Sequence, residues 1–138
     1  MQFEEQILIA APTEKVFAIY ANVEGWSSWD PDVKASSLQG QFVSGATGTL
    51  QPSSGPKAKI EFTEVTPNRT FTVESKLPLC VMRFEHELSG SSGETKALHR
   101  VIFKGLLSPL FGRLIGPQIR KGLPHSLKGL KHAAEQLG

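Results

Sequence analysis

Between Lys57 and Lys104 apolar and charged residues alternate in one segment after another, and a chain with this pattern must build a sheet covered on a single face. Ala58, Ile60 and Phe62 alternate with Lys57, Lys59 and Glu61, and Phe71 and Val73 with Thr70, Thr72 and Glu74. Further along, Met82, Phe84, His86 and Leu88 alternate with Arg83, Glu85 and Glu87. Ala97, His99, Val101 and Phe103 do the same with Lys96, Arg100 and Lys104. The stretches VSGATG, PSSGP, TPNR, KLP and SGSSG, rich in turn formers, punctuate a meander that runs from Val33 to Phe103. Residues 2–10 also alternate, with Phe3, Ile7 and Ile9 on one side. The segment APTEKVFAIYANVEGW then reads as helical. Pro12 suits its first turn, Glu14 its positive end, and Gly25 ends or bends it, while Val16, Phe17 and Tyr20 recur at helical spacing.

An apolar face needs a cover, and the C-terminal thirty residues supply it. Ser108-Pro109 is an N-cap and first-turn pair. At 100° per residue, Leu110, Phe111, Leu114 and Ile115 point roughly 130° away from the later apolar stripe. That stripe holds Ile119, Leu123, Leu127, Leu130, Ala134 and Leu137. A straight helix cannot bury both sets, so a break is expected at Gly116-Pro117. Arg120, Lys121, Lys128 and Lys131 oppose the leucines and read as a solvated face.

The bulk properties narrow the class. Residues 1–138 suit a single domain, and a net charge of +2 without a basic run argues against a nucleic-acid partner. Cys80 is the only cysteine, so neither an internal disulfide nor a dithiol is possible. The start MQFEEQILIA has acids where a secretory signal has lysines, and no apolar run approaches the roughly 18 residues of a membrane span. A cytoplasmic protein without stable membrane insertion is expected, as a monomer or as a weak homodimer through an edge strand such as the first.

Familiar catalytic motifs do not occur. There is no phosphate-binding loop, dinucleotide glycine pattern or nucleophile elbow. HEL at His86–Leu88 begins like a zinc-protease motif, but Gly90 stands where its second histidine belongs. His125 and His132 offer two ligands at most, on the polar side of the last helix. Neither a metal nor a cofactor is expected. Ser91 and Ser92 lie in a turn with no base nearby. His86 and His99 are the polar residues on the covered face. If SGSSGE pairs Ser89 with Glu94, His86 stands opposite Ala97 and diagonal to His99, ~7–8 Å away. Two readings stay open for them: core histidines satisfied by a carbonyl or a water, or groups that meet a ligand and act as proton shuttles aided by Tyr20.

Three stretches in order, ILIAAPTEKVFAIYANVEGWSSWDP, FKGLLSPLFGRLI and the final LKGLKHAAEQL, separated by the meander, resemble the SRPBCC or START-related superfamily, in its polyketide cyclase/dehydrase-like branch. The resemblance spans essentially the whole chain. It implies an α+β helix-grip fold: a curved antiparallel sheet of about six or seven strands around a long C-terminal helix, with two short helices after the first strand. It also implies a hollow for a small hydrophobic molecule between sheet and helix. The side chains expected to line it are Trp29, Ile60, Phe62, Phe71, Val73, Met82, Phe84, His86, His99, Val101, Leu123 and Leu127. WSSWDP carries both tryptophans, and Trp26 is expected at the rim and Trp29 in the lining or the core. The expected function is binding of a lipid, isoprenoid or polyketide-like ligand. The alternatives are a polyketide cyclase/dehydratase acting through His86 and His99, and a membrane-associated lipid-transfer or protein-interaction role through LLSPLFGRLIG.

Overall fold

The computed structural model describes residues 2–136, so Leu137 of the expected stripe lies outside the described residues. The elements run β1 Gln2–Ile9, α1 Thr13–Ala21, a 3₁₀ helix Val23–Ser28, β2 Val33–Gln39, β3 Thr47–Pro52, β4 Ala58–Thr66, β5 Thr70–Leu77, β6 Cys80–Ser91, β7 Glu94–Lys104 and α2 Ser108–Glu135. Seven strands form one antiparallel sheet in the order β1-β7-β6-β5-β4-β3-β2. Register shifts at Phe62/Glu64 in β4 and at Val33/Ala35 in β2 mark bulges, which bend the strands that carry them. The alternation places the apolar set on the concave side. On the convex side Arg100 reaches Glu4, Glu85 and Glu87 at 2.7, 2.8 and 2.8 Å across three strands.

Two local expectations need correction. Pro12 is the N-cap of α1, in extended conformation, one step earlier than a first-turn proline. The helical segment is also divided: α1 stops at Ala21, and after Asn22 the chain tightens into the 3₁₀ helix, so Gly25 lies inside the second piece.

The expected break in the last helix does not occur. α2 continues through Pro117 and Pro124. Each proline deprives a carbonyl four residues earlier of its partner, at Arg113 and Arg120. Both of those residues are exposed, so solvent can satisfy the freed carbonyls. The two apolar sets are reconciled by burying one and sacrificing half of the other. Leu123, Leu127, Leu130 and Ala134 are buried, Phe111 and Ile115 sit on the flank half-buried, and Leu110 and Leu114 stay exposed.

Close backbone approach sets the position of α2. At Gly116 an added Cβ would lie 2.5 Å from the Phe3 ring. At Gly129 it would lie 1.8 Å from the Trp29 carbonyl oxygen, which is backbone and cannot rotate away. Gly129→Ala is therefore expected to lower stability by about 2 kcal/mol as the helix is pushed off the loop, read as a shift in the urea midpoint. An unchanged midpoint would mean that this contact does not hold the helix in place.

The interior forms two apolar clusters. One gathers Tyr20, Trp26, Phe62, Phe71, Leu127 and Leu130 beneath α1 and the C-terminal half of α2. The other gathers Phe3, Cys80, Val101, Phe103 and Leu123 beneath the N-terminal half of α2, and Phe84 touches both. Trp26, expected at the rim, is a core residue at 6% exposure, and its indole N–H donates to the Tyr20 carbonyl at 2.9 Å. An indole can be buried without penalty when its N–H finds an acceptor, and the turn after α1 provides one.

Candidate functional site

The β6–β7 hairpin closes through a two-residue loop, Ser92-Gly93, with Ser91 opposite Glu94. Both loop residues have positive φ, 55° and 80°, as the tightest hairpin turns require. The expected register was two residues off. His86 lies directly opposite His99, not Ala97, and the ring centroids are 4.7 Å apart at a steep angle.

Three more elements complete this cluster. α1 presents Tyr20, placed on the buried face by its spacing from Val16 and Phe17, and its hydroxyl lies 2.7 Å from His99 Nε2. β5 presents Phe71, whose ring stacks on His86 at 3.9 Å and 6°, and whose carbonyl is 3.2 Å from His86 Nδ1. The loop after the 3₁₀ helix presents Trp29, with its ring centroid 6.1 Å from that of Tyr20. Asp30 follows, accepting from Ser126 Oγ of α2 at 2.6 Å and from the Asp32 N–H at 3.0 Å.

Burial sets the protonation states. It lowers His86 to about 4, against smaller opposing influences from the Phe71 carbonyl and Glu85. It holds His99 well below its ordinary value, and His86 pushes in the same direction. The Tyr20 hydroxyl is driven far up, first by burial and then by Asp30, so it keeps its proton. Asp30 is itself raised, chiefly by burial, against the hydrogen bonds from Ser126 and Asp32.

With both imidazoles neutral, their hydrogen-bond partners set the tautomers. A carbonyl only accepts, so His86 carries its proton on Nδ1 and leaves Nε2 bare. The Tyr20 phenol has no other acceptor among the described residues, so it donates to His99 Nε2, and His99 carries its proton on Nδ1. The cluster thus combines one free imidazole acceptor and one free imidazole donor, neither with a partner among the described residues.

The expected lining residues divide by accessibility. Ile60, Phe62, Phe71, Val73, His99, Val101, Leu123 and Leu127 are buried, whereas Trp29, Met82, Phe84 and His86 are half-buried. Half-buried Met82 and Phe84 on the sheet share a cluster with half-buried Phe111, Ile115 and Ile119 of α2. Over the sheet α2 lies on β1 and β7, reaches β6 and comes no nearer to β2–β5. Two openings are walled by described residues. One, of about 410 Å³, is lined by Lys76, Leu77, Leu79, Cys80, Val81, Lys104, Gly105 and Leu106. The other, of about 440 Å³, lies between α1 and the end of α2 and includes Trp29. Neither contains the imidazoles. Cys80 of that first lining nevertheless begins an inward row on the concave side of β6: Cys80, Met82, Phe84 and His86, ~20 Å long at strand spacing.

A curved antiparallel sheet gripping one long helix, with a small polar cluster in an apolar interior, is the helix-grip architecture, a fold of small-molecule-binding type. The chain belongs to the family described as "Polyketide cyclase / dehydrase and lipid transport", whose profile matches residues 1–135, within the SRPBCC/START-like superfamily. A comparison with curated protein sequences returned no match. Similar solved structures include a START superfamily protein from Mycobacterium smegmatis, with 15% identity, 99% of each chain covered and a TM-score of 0.76. The Zhui aromatase/cyclase from Streptomyces sp. R1128 shares 13% identity, with 98% of this chain and 93% of that one covered and a TM-score of 0.73. Norcoclaurine synthase from Thalictrum flavum shares 12%, with 99% and 87% covered and a TM-score of 0.75. At these identities the likeness is one of fold.

Proposed function

We propose that the chain binds a small, largely apolar molecule between the inner side of β6 and the N-terminal half of α2, with the ligand's polar end against His86 and His99. The observation that carries this reading is the partial exposure of Met82, Phe84, Phe111, Ile115 and Ile119 within the grip. In a filled core such side chains lose contact with solvent. The imidazole pair supports a neutral ligand with a hydrogen-bond acceptor beside a donor, as in a hydroxy-ketone or an enol beside a carbonyl. A carboxylate end would confront the bare Nε2 of His86 without a proton to share.

Met82→Trp tests the proposal, because the larger side chain would occupy the gap. Native mass spectrometry of freshly purified protein is expected to find an apolar ligand on the unmodified chain and none on the variant, with the urea midpoint unchanged. If the interior is closed, the same substitution overpacks it and costs about 1–3 kcal/mol, and that result would sink the reading.

A second reading, proton transfer on a polyketide-like substrate, is favoured by one observation: the Tyr20–His99 hydrogen bond at 2.7 Å beside a second neutral imidazole. A neutral imidazole is the base form, and a held phenol keeps its tautomer fixed. Tyr20→Phe is then expected to lower turnover of an aromatic polyketide surrogate by roughly 10²-fold, with KM little changed. Turnover equal to that of the unmodified chain would exclude the role.

A further inference from the structure

One end of the molecule shows aliphatic side chains that the other described residues leave uncovered. Leu79 is 65% exposed, Leu106 80%, Leu110 50% and Leu114 68%. The Leu107 N–H donates to the Leu79 carbonyl at 3.0 Å, which fastens the β5–β6 turn to the loop before α2 and sets Leu79 beside Leu106 on one opening. Leu110 and Leu114 continue from that loop along the outer face of the first turns of α2.

Backbone conformation adds a second observation. Leu79 has φ 53°, left-handed, in the second position of the two-residue turn Pro78-Leu79. That position favours glycine, and a branched, bulky residue there is strained. The chain places a leucine at a strained turn tip and leaves most of it in solvent, 65% exposed.

Charge decides what fits the patch. Among the described residues, the only charged ones walling the opening are Lys76 and Lys104, both exposed, and Arg113 stands exposed between Leu110 and Leu114 in sequence. Residues 95–134 contain eight lysines and arginines and no acid. At 100° per residue Leu110, Leu114, Lys121 and Lys128 fall within an arc of roughly 40° on α2. No helix of the described residues is long and apolar enough to cross a membrane.

We propose that this end docks peripherally on an anionic lipid bilayer, with Leu79, Leu106, Leu110 and Leu114 entering the acyl boundary and Lys76, Lys104 and Arg113 lying among the headgroups. Protruding contacts made of leucine alone suit a fluid phase that needs no matching shape. Protein interfaces instead concentrate aromatic and arginine anchors and use leucine sparingly. Basic residues around an apolar patch are what interfacial binding combines. The inference goes beyond the ligand reading and does not need the interior to be hollow.

Flotation with vesicles of phosphatidylcholine alone, and with 30% phosphatidylglycerol, tests it at low and high salt. The unmodified chain is expected to float with the anionic vesicles at low salt, and far less with neutral ones or in high salt. Leu106→Asp with Leu110→Asp should cut partitioning at least tenfold, with circular dichroism and thermal midpoint confirming the fold. Lys76→Glu with Lys104→Glu should do the same. Leu106→Trp should show blue-shifted emission on anionic vesicles only. No flotation, or flotation untouched by the leucine pair, overturns the proposal. So does sedimentation that finds the leucines holding two copies of the chain together while vesicles stay unbound.

Discussion

Phe71→Ala is expected to remove about 3–5 kcal/mol of stability and to return His86 toward its ordinary titration range. The ring is 1% exposed and lies within reach of Tyr20, Phe42, Trp26 and Phe62, with centroids at 4.8, 5.3, 6.1 and 6.4 Å. Its neighbours come from β4, α1, the 3₁₀ helix and the β2–β3 loop, so no single element can move in to fill the space. A domain of this size holds only about 5–15 kcal/mol in total, so the variant should be visibly marginal in urea. The same ring shields His86 from water by stacking on it, and burial is the main reason that imidazole stands at about 4. Removing the shield while keeping the Phe71 carbonyl leaves the hydrogen bond and takes away the desolvation. Imidazole proton shifts followed by NMR should show His86 titrating upward of 5. A loss under ~1 kcal/mol, with His86 unmoved, would mean that the cluster repacks and that other walls keep the site dry.

The second large effect concerns acid. Both imidazoles are lowered in the folded chain, His86 to about 4 and His99 well below 6.5. Between those values and 6.5 the unfolded chain binds protons that the folded chain refuses. Their contribution to stability is therefore complete above pH 6.5 and is lost as the pH falls toward 4. For His86 the loss is roughly 1–3 kcal/mol, after discounting for its partial exposure. Asp30 acts in the opposite sense, since its raised carboxyl takes up a proton more readily when folded. Glu135, lowered chiefly by the Ala10 N–H and Lys131, loses its contribution only below its ordinary range near 4.5. Urea midpoints at pH 7.5 and pH 5 should differ substantially for the unmodified chain. They should nearly coincide when His86 and His99 are both replaced by asparagine. Equal differences in the two proteins would show that the imidazoles are not the groups refusing protons.

Both histidines and nearly all of the apolar side are legible in the sequence, because a half-covered strand writes its orientation into every second residue. Tyr20 carries a signal of its own, since a phenol on the apolar stripe of α1 must find a partner inside, and the two histidines are the acceptors on offer. Trp26 was harder. Its polar neighbours in WSSWDP suggested a rim, and only the fold of the turn shows that the Tyr20 carbonyl waits for its N–H. The Asp30–Ser126 contact joins residues far apart in the chain, and no local pattern announces it.

What the sequence determined by itself was the set of elements, the side each strand turns inward and the need for a helical cover, since these follow from periodicities of two and of 3.6 residues. The tertiary structure alone decided the partner of His86 and the continuity of α2. A hairpin shifted by two residues keeps every side chain on its own face, so alternation cannot detect the slip that turns a diagonal pair into a direct one. A helix can likewise run through a proline and leave two leucines in the open. Whether it does depends on where Phe3 and the Trp29 carbonyl come to rest, which is a matter of contacts across the whole fold.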